Sequence, residues 1–257
     1  MNKFWILLKS TFKEIAKNKA IYYTMGFGVI LLTFGFTQEG ILLEFQKNGE
    51  SKDLSSILSL IFFHIFLYIW LLVIVNISSN DFFEESEDGS AEVILPYMSK
   101  KSYFLSKFVG DTVSSFLFLL LTFLIVFIIL KFTIKAPSFK LILSLFMLVP
   151  NFLFLFSLLL IFMAFSLRKT AAILSYISYL FFSILNIDYV LSKFFGEGLK
   201  NVLKYIIPSI GKWQNEIAKF GVGFEISGCW KYWFFNVIIY SLIILILAMK
   251  FSGKYEV

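Results

Sequence analysis

The sequence predicts an all-α integral membrane protein. The chain has 257 residues, of which 59% are hydrophobic, whereas soluble domains are about 45–50% apolar. Several apolar stretches approach or exceed the roughly 20 residues that a helix needs to cross a bilayer. These stretches are solid apolar blocks, unlike the alternating segments of about 10 residues that form a membrane β-barrel.

Before the first apolar block, residues 3–19 predict an amphipathic helix. An apolar stripe at helical spacing is formed by Phe4, Leu8, Phe12 and Ile15. The opposite face carries Lys9, Lys13 and Lys17, with Ile6 as an apolar exception. A helix of this kind lies in the headgroup plane of a bilayer. The alternative is a plain extension of the first span into the cytosol.

Six membrane spans are predicted. They cover residues 21–37, with an extension to 45 left open, and then 54–78, 108–130, 141–167, 171–187 and 230–249. An acidic loop over 79–107 separates the second and third spans. The segment 188–229 is expected to form one or two short helices in the interface, covering the outer ends of the spans. Six spans place both termini on one side, and five lysines in the first 19 residues favour the cytoplasm for that side.

Composition excludes several classes of function. The net charge of +6 comes from scattered lysines, which favours contact with lipid headgroups over binding of nucleic acid. Cys229 is the one cysteine, so neither an intrachain disulfide nor a cysteine-based metal site is predicted. The sequence contains neither a Walker A phosphate-binding motif nor a recognisable catalytic motif. We therefore expect no enzymatic activity, no cofactor and no metal in this chain.

Ionisable residues are scarce inside the predicted spans. His64 and Asn151 are the main polar residues in the middle of a span, while Asp111 and Lys131 bound the third span. His64 is interpreted as a packed, neutral histidine, with a haem or metal ligand as the less favoured alternative. Because buried ionisable groups normally serve ion-coupled transport, their scarcity argues against a proton-relay mechanism.

The densest charge of the chain lies between the second and third spans, in "DFFEESEDGSAEVILPYMSKK". The acids are Asp81, Glu84, Glu85, Glu87 and Asp88. Their charges suit a loop that docks onto basic groups of a partner protein, because charges at an interface set partner choice and association rate. The alternative is a solvated loop whose charges only keep it out of the bilayer.

From Glu87 onward the sequence resembles the ABC-2 type permeases of ABC transporters, especially the NosY-like branch of membrane subunits. The matching positions are Glu87, Gly89, Ser90, Glu92, Val93, Ile94, Leu95, Pro96, Ser99, Lys100, Lys107 and Gly110. The family usually has arginine where this chain has Lys100. The resemblance extends to the layout, since the family has an N-terminal amphipathic helix, six spans and a long outer segment before the last span.

This resemblance implies a single ABC-2 type transmembrane domain over 1–257, in the inner membrane of a bacterium or archaeon. It also implies a homodimer and a separate ATPase subunit, which binds ATP and magnesium. The implied coupling residues are Glu84, Glu85, Glu87, Asp88, Gly89, Glu92, Pro96, Ser99 and Lys100. Small residues let membrane helices approach closely, and the candidates for a dimer interface are Gly26, Gly28, Ala171, Ser175 and Ser178.

Two other classes of function are kept as alternatives. The first is a motor-free membrane protein, either a secondary transporter or a scaffold, and the second is an enzyme. The sequence does not identify the cargo: lipid, peptide, drug and copper or sulfur species all agree with the family. The apolar, aromatic spans favour an amphipathic or lipid-like cargo slightly.

Overall fold

The computed structural model describes residues 3–45, 52–87, 99–133, 139–165, 170–185, 206–222 and 225–251, with a few single positions between 193 and 203. The regular structure in these ranges is entirely α-helical. The helices are α1 Lys3–Lys17, α2 Lys19–Phe45, α3 Lys52–Glu87, α4 Lys100–Thr133, α5 Lys140–Met147, α6 Val149–Ala164, α7 Ala171–Leu185, α8 Ile210–Val222 and α9 Trp230–Phe251.

Within the described ranges, five helical stretches are long and apolar enough to cross a membrane, as expected for a multi-pass membrane protein. They are Lys19–Thr37, Ser59–Asp81, Lys101–Thr133, Lys140–Ala164 and Trp230–Phe251. The fourth stretch joins α5 and α6, which are separated at Leu148 just before Pro150. The described part of α7 has 15 residues, or about 22 Å, which is short for a span. The all-helical class is therefore confirmed, while the count of six spans stays a prediction.

The centre of the bundle is α6, which is apolar on all sides. A helix of this kind has to be surrounded by other helices or by lipid. Here Phe154, Leu155 and Leu159 are almost fully buried, and α6 packs against α4, α7 and α9. In contrast, α9 exposes a row of large apolar side chains that includes Phe235, Ile239 and Ile246, as a lipid-facing helix does.

Two glycines bring α2 close to α3. A Cβ atom at Gly28 would overlap the ring of Phe66, and one at Gly35 would lie 2.9 Å from a ring carbon of Phe62. The hydroxyl of Ser59 donates a hydrogen bond of 3.1 Å to the carbonyl of Gly35. Small residues on one helix therefore receive aromatic rings of the other, which is a common way of packing helices in lipid.

The predicted N-terminal helix is present as α1, and Asn18 forms the elbow that follows it. The backbone N–H of Asn18 donates to the carbonyl of Ile15, and its side-chain Oδ1 accepts a 3.0 Å hydrogen bond from the N–H of Ala20. Asn18 therefore ends α1 and begins α2. Its position fixes where the chain turns from α1 into the first span.

The buried face of α1 agrees with the predicted stripe at Ile15 and differs from it at Phe12. Leu7, Thr11 and Ile15 are buried, whereas Phe12 is 37% exposed and stacks on Phe118 with ring centroids 5.5 Å apart. The reason lies in α4, because its backbone approaches so closely at Gly110 that a Cβ atom added there would lie 3.0 Å from Thr11 Cβ. The predicted exposure of Lys9, Lys13 and Lys17 is confirmed, while the Phe4 side chain lies outside the described residues.

Ring contacts define two ends of the bundle. Phe127 contacts Phe139 and Phe116 contacts Phe146, so α4 runs antiparallel to α5. The ring centroid of Phe165, which follows α6, lies 5.0 Å from that of Phe251 of α9.

The two ends of the bundle are named after the short helices that they contain. We call the end that contains α1, the C-terminal part of α3 and the N-terminal part of α4 the α1 end. The opposite end, which contains α8 and the start of α9, is the α8 end.

Within the long segment before the last span, the structure confirms a short helix, α8. It is inserted between other helices: Trp213 and Gln214 are buried, and Trp213 Nε1 donates a 2.9 Å hydrogen bond to the carbonyl of Met147. Gly211 allows the approach, because a Cβ there would overlap the carbonyl oxygen of Ser183. That α8 covers the outer side of a membrane stays a prediction.

Candidate coupling site at the ends of α3 and α4

The predicted bounds of the acidic loop, 79–107, extend into the neighbouring helices at both ends. α3 continues through Glu87 and α4 begins at Lys100. The buried row of α3 explains the continuation, since Ile74, Ile77 and Asp81 follow one another at helical spacing. α3 has 36 residues, or about 54 Å at a rise of about 1.5 Å per residue. This length exceeds the roughly 30 Å hydrocarbon core of a bilayer, so α3 is long enough to extend beyond the membrane.

The predicted coupling residues, with the motif positions between them, fall into three groups, of which the third is Ser99 and Lys100. Glu84, Glu85 and Glu87 lie on the last turns of α3, although their side chains are outside the described part. Outside the described residues altogether are Asp88, Gly89, Ser90, Glu92, Val93, Ile94, Leu95 and Pro96.

Ser99 and Lys100 mark the start of α4. The N–H of Ser102 donates to Ser99 Oγ at 3.2 Å, and the N–H of Tyr103 donates to the Ser99 carbonyl at 3.0 Å. Ser99 is therefore the N-cap of α4, a position that favours serine because its hydroxyl accepts from an unpaired helical N–H. Lys100 is the first helical residue, and its side chain lies outside the described residues.

A buried ion pair joins α3 to α4. Lys107 Nζ lies 2.5 Å from Asp81 Oδ2, and the two side chains are 0% and 9% exposed. Asp81 is therefore a packed residue of α3 and not one of the solvated acids of a loop, as the sequence had suggested. Removing one partner of such a pair leaves an uncompensated buried charge. The pair fixes the C-terminal part of α3 against the N-terminal part of α4.

α1 packs on the same part of α4. Gly110 lies one turn beyond Lys107 and packs against Thr11, and α1 contacts both α4 and α3. Asp111 is buried beside this contact. Three helices therefore meet around the Asp81–Lys107 pair. The motif positions Lys107 and Gly110 both have packing roles inside the chain.

A small cavity opens between α1 and α3 at this end of the bundle. Its volume is about 180 Å³. The lining residues are Glu14, Lys17, Asn18, Ile77, Asn80 and Asp81. Sequence patterns do not reveal this cavity, because its two walls are separated by about 60 residues along the chain.

The five candidates for a dimer interface differ in how far they are buried within their own chain. A Cβ atom added to Gly26 would have no other atom within 4 Å, whereas Gly28 packs against Phe66 of its own chain. Ala171 and Ser175 are fully buried, and the face of α7 that contains them is used within the chain. Ser178 is partly buried. Among these five candidates, Gly26 and Ser178 keep surface that a second copy can contact.

The polar residues in the middle of the spans are part of the interior. His64 Nδ1 lies 2.8 Å from the carbonyl of Leu60, an ordinary contact within a helix. The described side chains contain no group of three His, Cys, Asp or Glu residues that could hold a metal ion. Asn151 is buried next to Tyr179, whose hydroxyl donates a 3.0 Å hydrogen bond to Gln214 Oε1. We call Asn151, Tyr179 and Gln214 the polar layer.

Comparison with known proteins does not add to this picture. No protein-family model matches the sequence, and no curated protein is significantly similar to it. Assignment to a family therefore depends on the motif residues and on the helical layout.

Proposed function

We propose that this chain is the membrane-spanning permease subunit of an ATP-driven exporter of the ABC-2 type. A separate ATPase subunit hydrolyses ATP, and the permease couples that reaction to movement of the cargo. The single observation that supports this most is the Asp81–Lys107 pair. It lies directly behind the acidic end of α3, where a partner would bind.

The electrostatics of α3 favour a cationic partner. Glu84, Glu85 and Glu87 lie at the C-terminal end of a helix, where the helix dipole is negative and acids are unfavourable by about 0.3–1 kcal/mol each. The last turn of α3 contains no basic residue. A basic surface on an ATPase would offset this cost, and the acids would then determine which partner binds and how fast.

The helix contacts provide a mechanical path from that surface into the membrane. A force applied between α3 and α4 acts on both helices, because the buried ion pair joins them. It also acts on α1, since α1 rests on α4 at Gly110, and on α2 through the Asn18 elbow. In this proposal, ATP-driven closure of two ATPase subunits shifts α1, α3 and α4 together.

The finer layout follows from the same proposal. α7 is the fifth of six spans, α1 lies at the inner membrane surface, and both termini are in the cytoplasm. The protein acts as a homodimer in the inner membrane of a bacterium or archaeon, with ATP and magnesium bound by the partner. Gly26 of α2 is the preferred contact between the two copies, because it has open space around it, whereas Ala171 and Ser175 are buried within their own chain.

Charge reversal at the end of α3 tests the proposal. The triple change Glu84→Lys, Glu85→Lys and Glu87→Lys is expected to abolish stimulation of the co-purified ATPase while the protein still inserts. The control is Glu225→Lys, which reverses an exposed acid at the α8 end and should leave the ATPase unaffected. If the triple variant assembles with the ATPase and stimulates it as the wild-type chain does, the coupling role is contradicted and the three glutamates serve only to keep the end of α3 in water.

The polar layer is the observation that favours a motor-free secondary transporter. It provides hydrogen-bonding groups deep in the bundle, where polar residues commonly mark a transport path. However, Asn151, Tyr179 and Gln214 are all uncharged near neutral pH, so the layer offers no group to bind a coupling proton or cation by charge. We therefore rank this alternative second.

A further inference from the structure

The cavity between α1 and α3 lies at the level where two apolar stretches end. Lys17 and Asn18 immediately precede the stretch Lys19–Thr37, and Asn80 and Asp81 end the stretch Ser59–Asp81. Tyr22 and Tyr23, one turn into α2, are 53% and 75% exposed. Exposed tyrosines are enriched at the boundary between hydrocarbon and headgroups. The cavity is therefore placed at headgroup depth.

Its lining combines groups of both charges. Two carboxylates, from Glu14 and Asp81, face one ammonium, from Lys17. Lys107 balances the charge of Asp81, so the site is neutral as a whole, as suits a zwitterionic ligand. Lys17 Nζ lies 2.8 Å from Glu14 Oε1, but the two side chains are 60% and 41% exposed. An exposed pair of this kind contributes little to stability and can exchange partners. Both groups are therefore available to a ligand.

The amides add hydrogen-bonding capacity. Asn18 Oδ1 accepts from the N–H of Ala20, which leaves the side-chain nitrogen of Asn18 as a donor. Asn80 is exposed at the mouth of the cavity. Asp81 forms the inner wall, where Lys107 holds one of its oxygens. The cavity therefore has hydrogen-bond donors beside Lys17 and hydrogen-bond acceptors beside Asp81.

We propose that this cavity binds the headgroup of a zwitterionic phospholipid that has a primary amine, of the phosphatidylethanolamine class. The lipid ammonium donates to the carboxylates of Glu14 and Asp81, and the phosphate accepts from Lys17 Nζ and the Asn18 amide. The volume of about 180 Å³ is below the roughly 300–1,000 Å³ of sites for drug-sized ligands, which suits a headgroup.

The charge of the lining selects between lipid classes. An anionic headgroup such as phosphatidylglycerol brings no cation to the two carboxylates, so it adds an uncompensated negative charge to a neutral site. A choline headgroup brings a cation that is larger and has no N–H to donate. The bound lipid would bridge α1 and α3, which stabilises the elbow at Asn18. This inference requires only that the chain spans a bilayer, and it is independent of an ATPase partner.

The test is lipid retention by the full chain, measured by native mass spectrometry after purification from vesicles. The vesicles contain equal amounts of dioleoyl phosphatidylethanolamine, phosphatidylcholine and phosphatidylglycerol. The wild-type chain should retain phosphatidylethanolamine preferentially. Glu14→Gln should lower that preference about tenfold, or about 1.4 kcal/mol, because it removes a carboxylate that receives the lipid ammonium. Lys17→Gln should lower the retention of all three lipids, because each has the phosphate that Lys17 contacts.

Lys13→Gln is the matched control. It removes the same charge from an exposed position of the same helix. Lys13 does not line the cavity, so this variant should retain each lipid to the same extent as the wild-type chain. Equal retention of the three lipids by the wild-type chain would overturn the proposal, and so would equal losses in Lys13→Gln and Lys17→Gln. Binding of soluble phosphoethanolamine without any retention of phosphatidylethanolamine would assign the site to a free solute and would likewise overturn the proposal.

Discussion

Lys107 Nζ of α4 lies 2.5 Å from Asp81 Oδ2 of α3, with both side chains almost fully removed from solvent. The two residues are 26 positions apart in the chain, and they join the helices that flank the acidic segment. Because α1 rests on α4 one turn further on, the pair lies where α1, α3 and α4 meet. It is the contact through which the proposed coupling passes.

Removal of one member of this pair should destabilise the fold. Lys107→Met leaves the Asp81 carboxylate buried without its cation, at a cost of about 3–5 kcal/mol. The double change Lys107→Met with Asp81→Leu removes both charges and should recover much of that loss. The measurement is a double-mutant cycle on the thermal unfolding of the protein in nanodiscs. Additive effects of the two single changes would show that the pair is not coupled.

Gly26 and Gly28 of α2 should respond in opposite ways to alanine. At Gly28 a methyl group overlaps the buried ring of Phe66, so Gly28→Ala should cost about 1–3 kcal/mol through overpacking. At Gly26 there is open space, and alanine should be neutral or stabilising by up to about 1 kcal/mol. The measurement is the unfolding temperature of each variant. Equal unfolding temperatures would contradict the packing of α2 on α3.

The polar layer should hold α8 in place. Tyr179→Phe removes the hydroxyl that donates to Gln214 and leaves a buried acceptor without its donor, which costs about 1–3 kcal/mol. The control is Tyr23→Phe, because Tyr23 is 75% exposed. Hydrogen exchange of the α8 backbone should increase in Tyr179→Phe alone. Unchanged protection of α8 would mean that its position does not depend on this hydrogen bond.

Cysteine crosslinking should locate the contact between two copies. In a background with Cys229→Ser, cysteine at position 26 should form a disulfide-linked dimer in native membranes. Cysteine at position 171 or 175 should not, since both positions are buried within the chain. A dimer linked through position 171 or 175 would mean that α7 leaves its place in the bundle and forms the interface between the two copies.

The sequence predicted the helical class and most of the apolar helices, because a bilayer imposes long apolar stretches. It placed the end of α3 too early, because Asp81 precedes three glutamates and looked like part of a loop. The helical spacing of Ile74, Ile77 and Asp81 was the signal that could have extended the helix. The partner of Asp81 could not be predicted, since Lys107 comes from another helix and the pairing depends on how α3 packs against α4.

The buried row of α1 was predicted only at Ile15, and the rest was missed for a similar reason. Thr11 is a polar residue, and hydrophobic spacing alone places Phe12 in the core instead. The burial of Thr11 follows from Gly110 of α4, which only the packed structure relates to α1. The small residues of α7 looked like a contact between subunits, although Ala171 and Ser175 pack inside one chain. Periodicity identifies a packing face, but it does not identify the helix that covers it.

The most direct test of the proposed function is purification of the tagged chain from its native membranes in mild detergent, followed by mass spectrometry of the proteins bound to it. The proposal predicts a P-loop ATPase in stoichiometric amount, lost when Glu84, Glu85 and Glu87 are changed to lysine. If the chain is recovered alone and added ATP changes nothing, the coupling role of the α3 end is contradicted and a motor-free membrane protein takes its place.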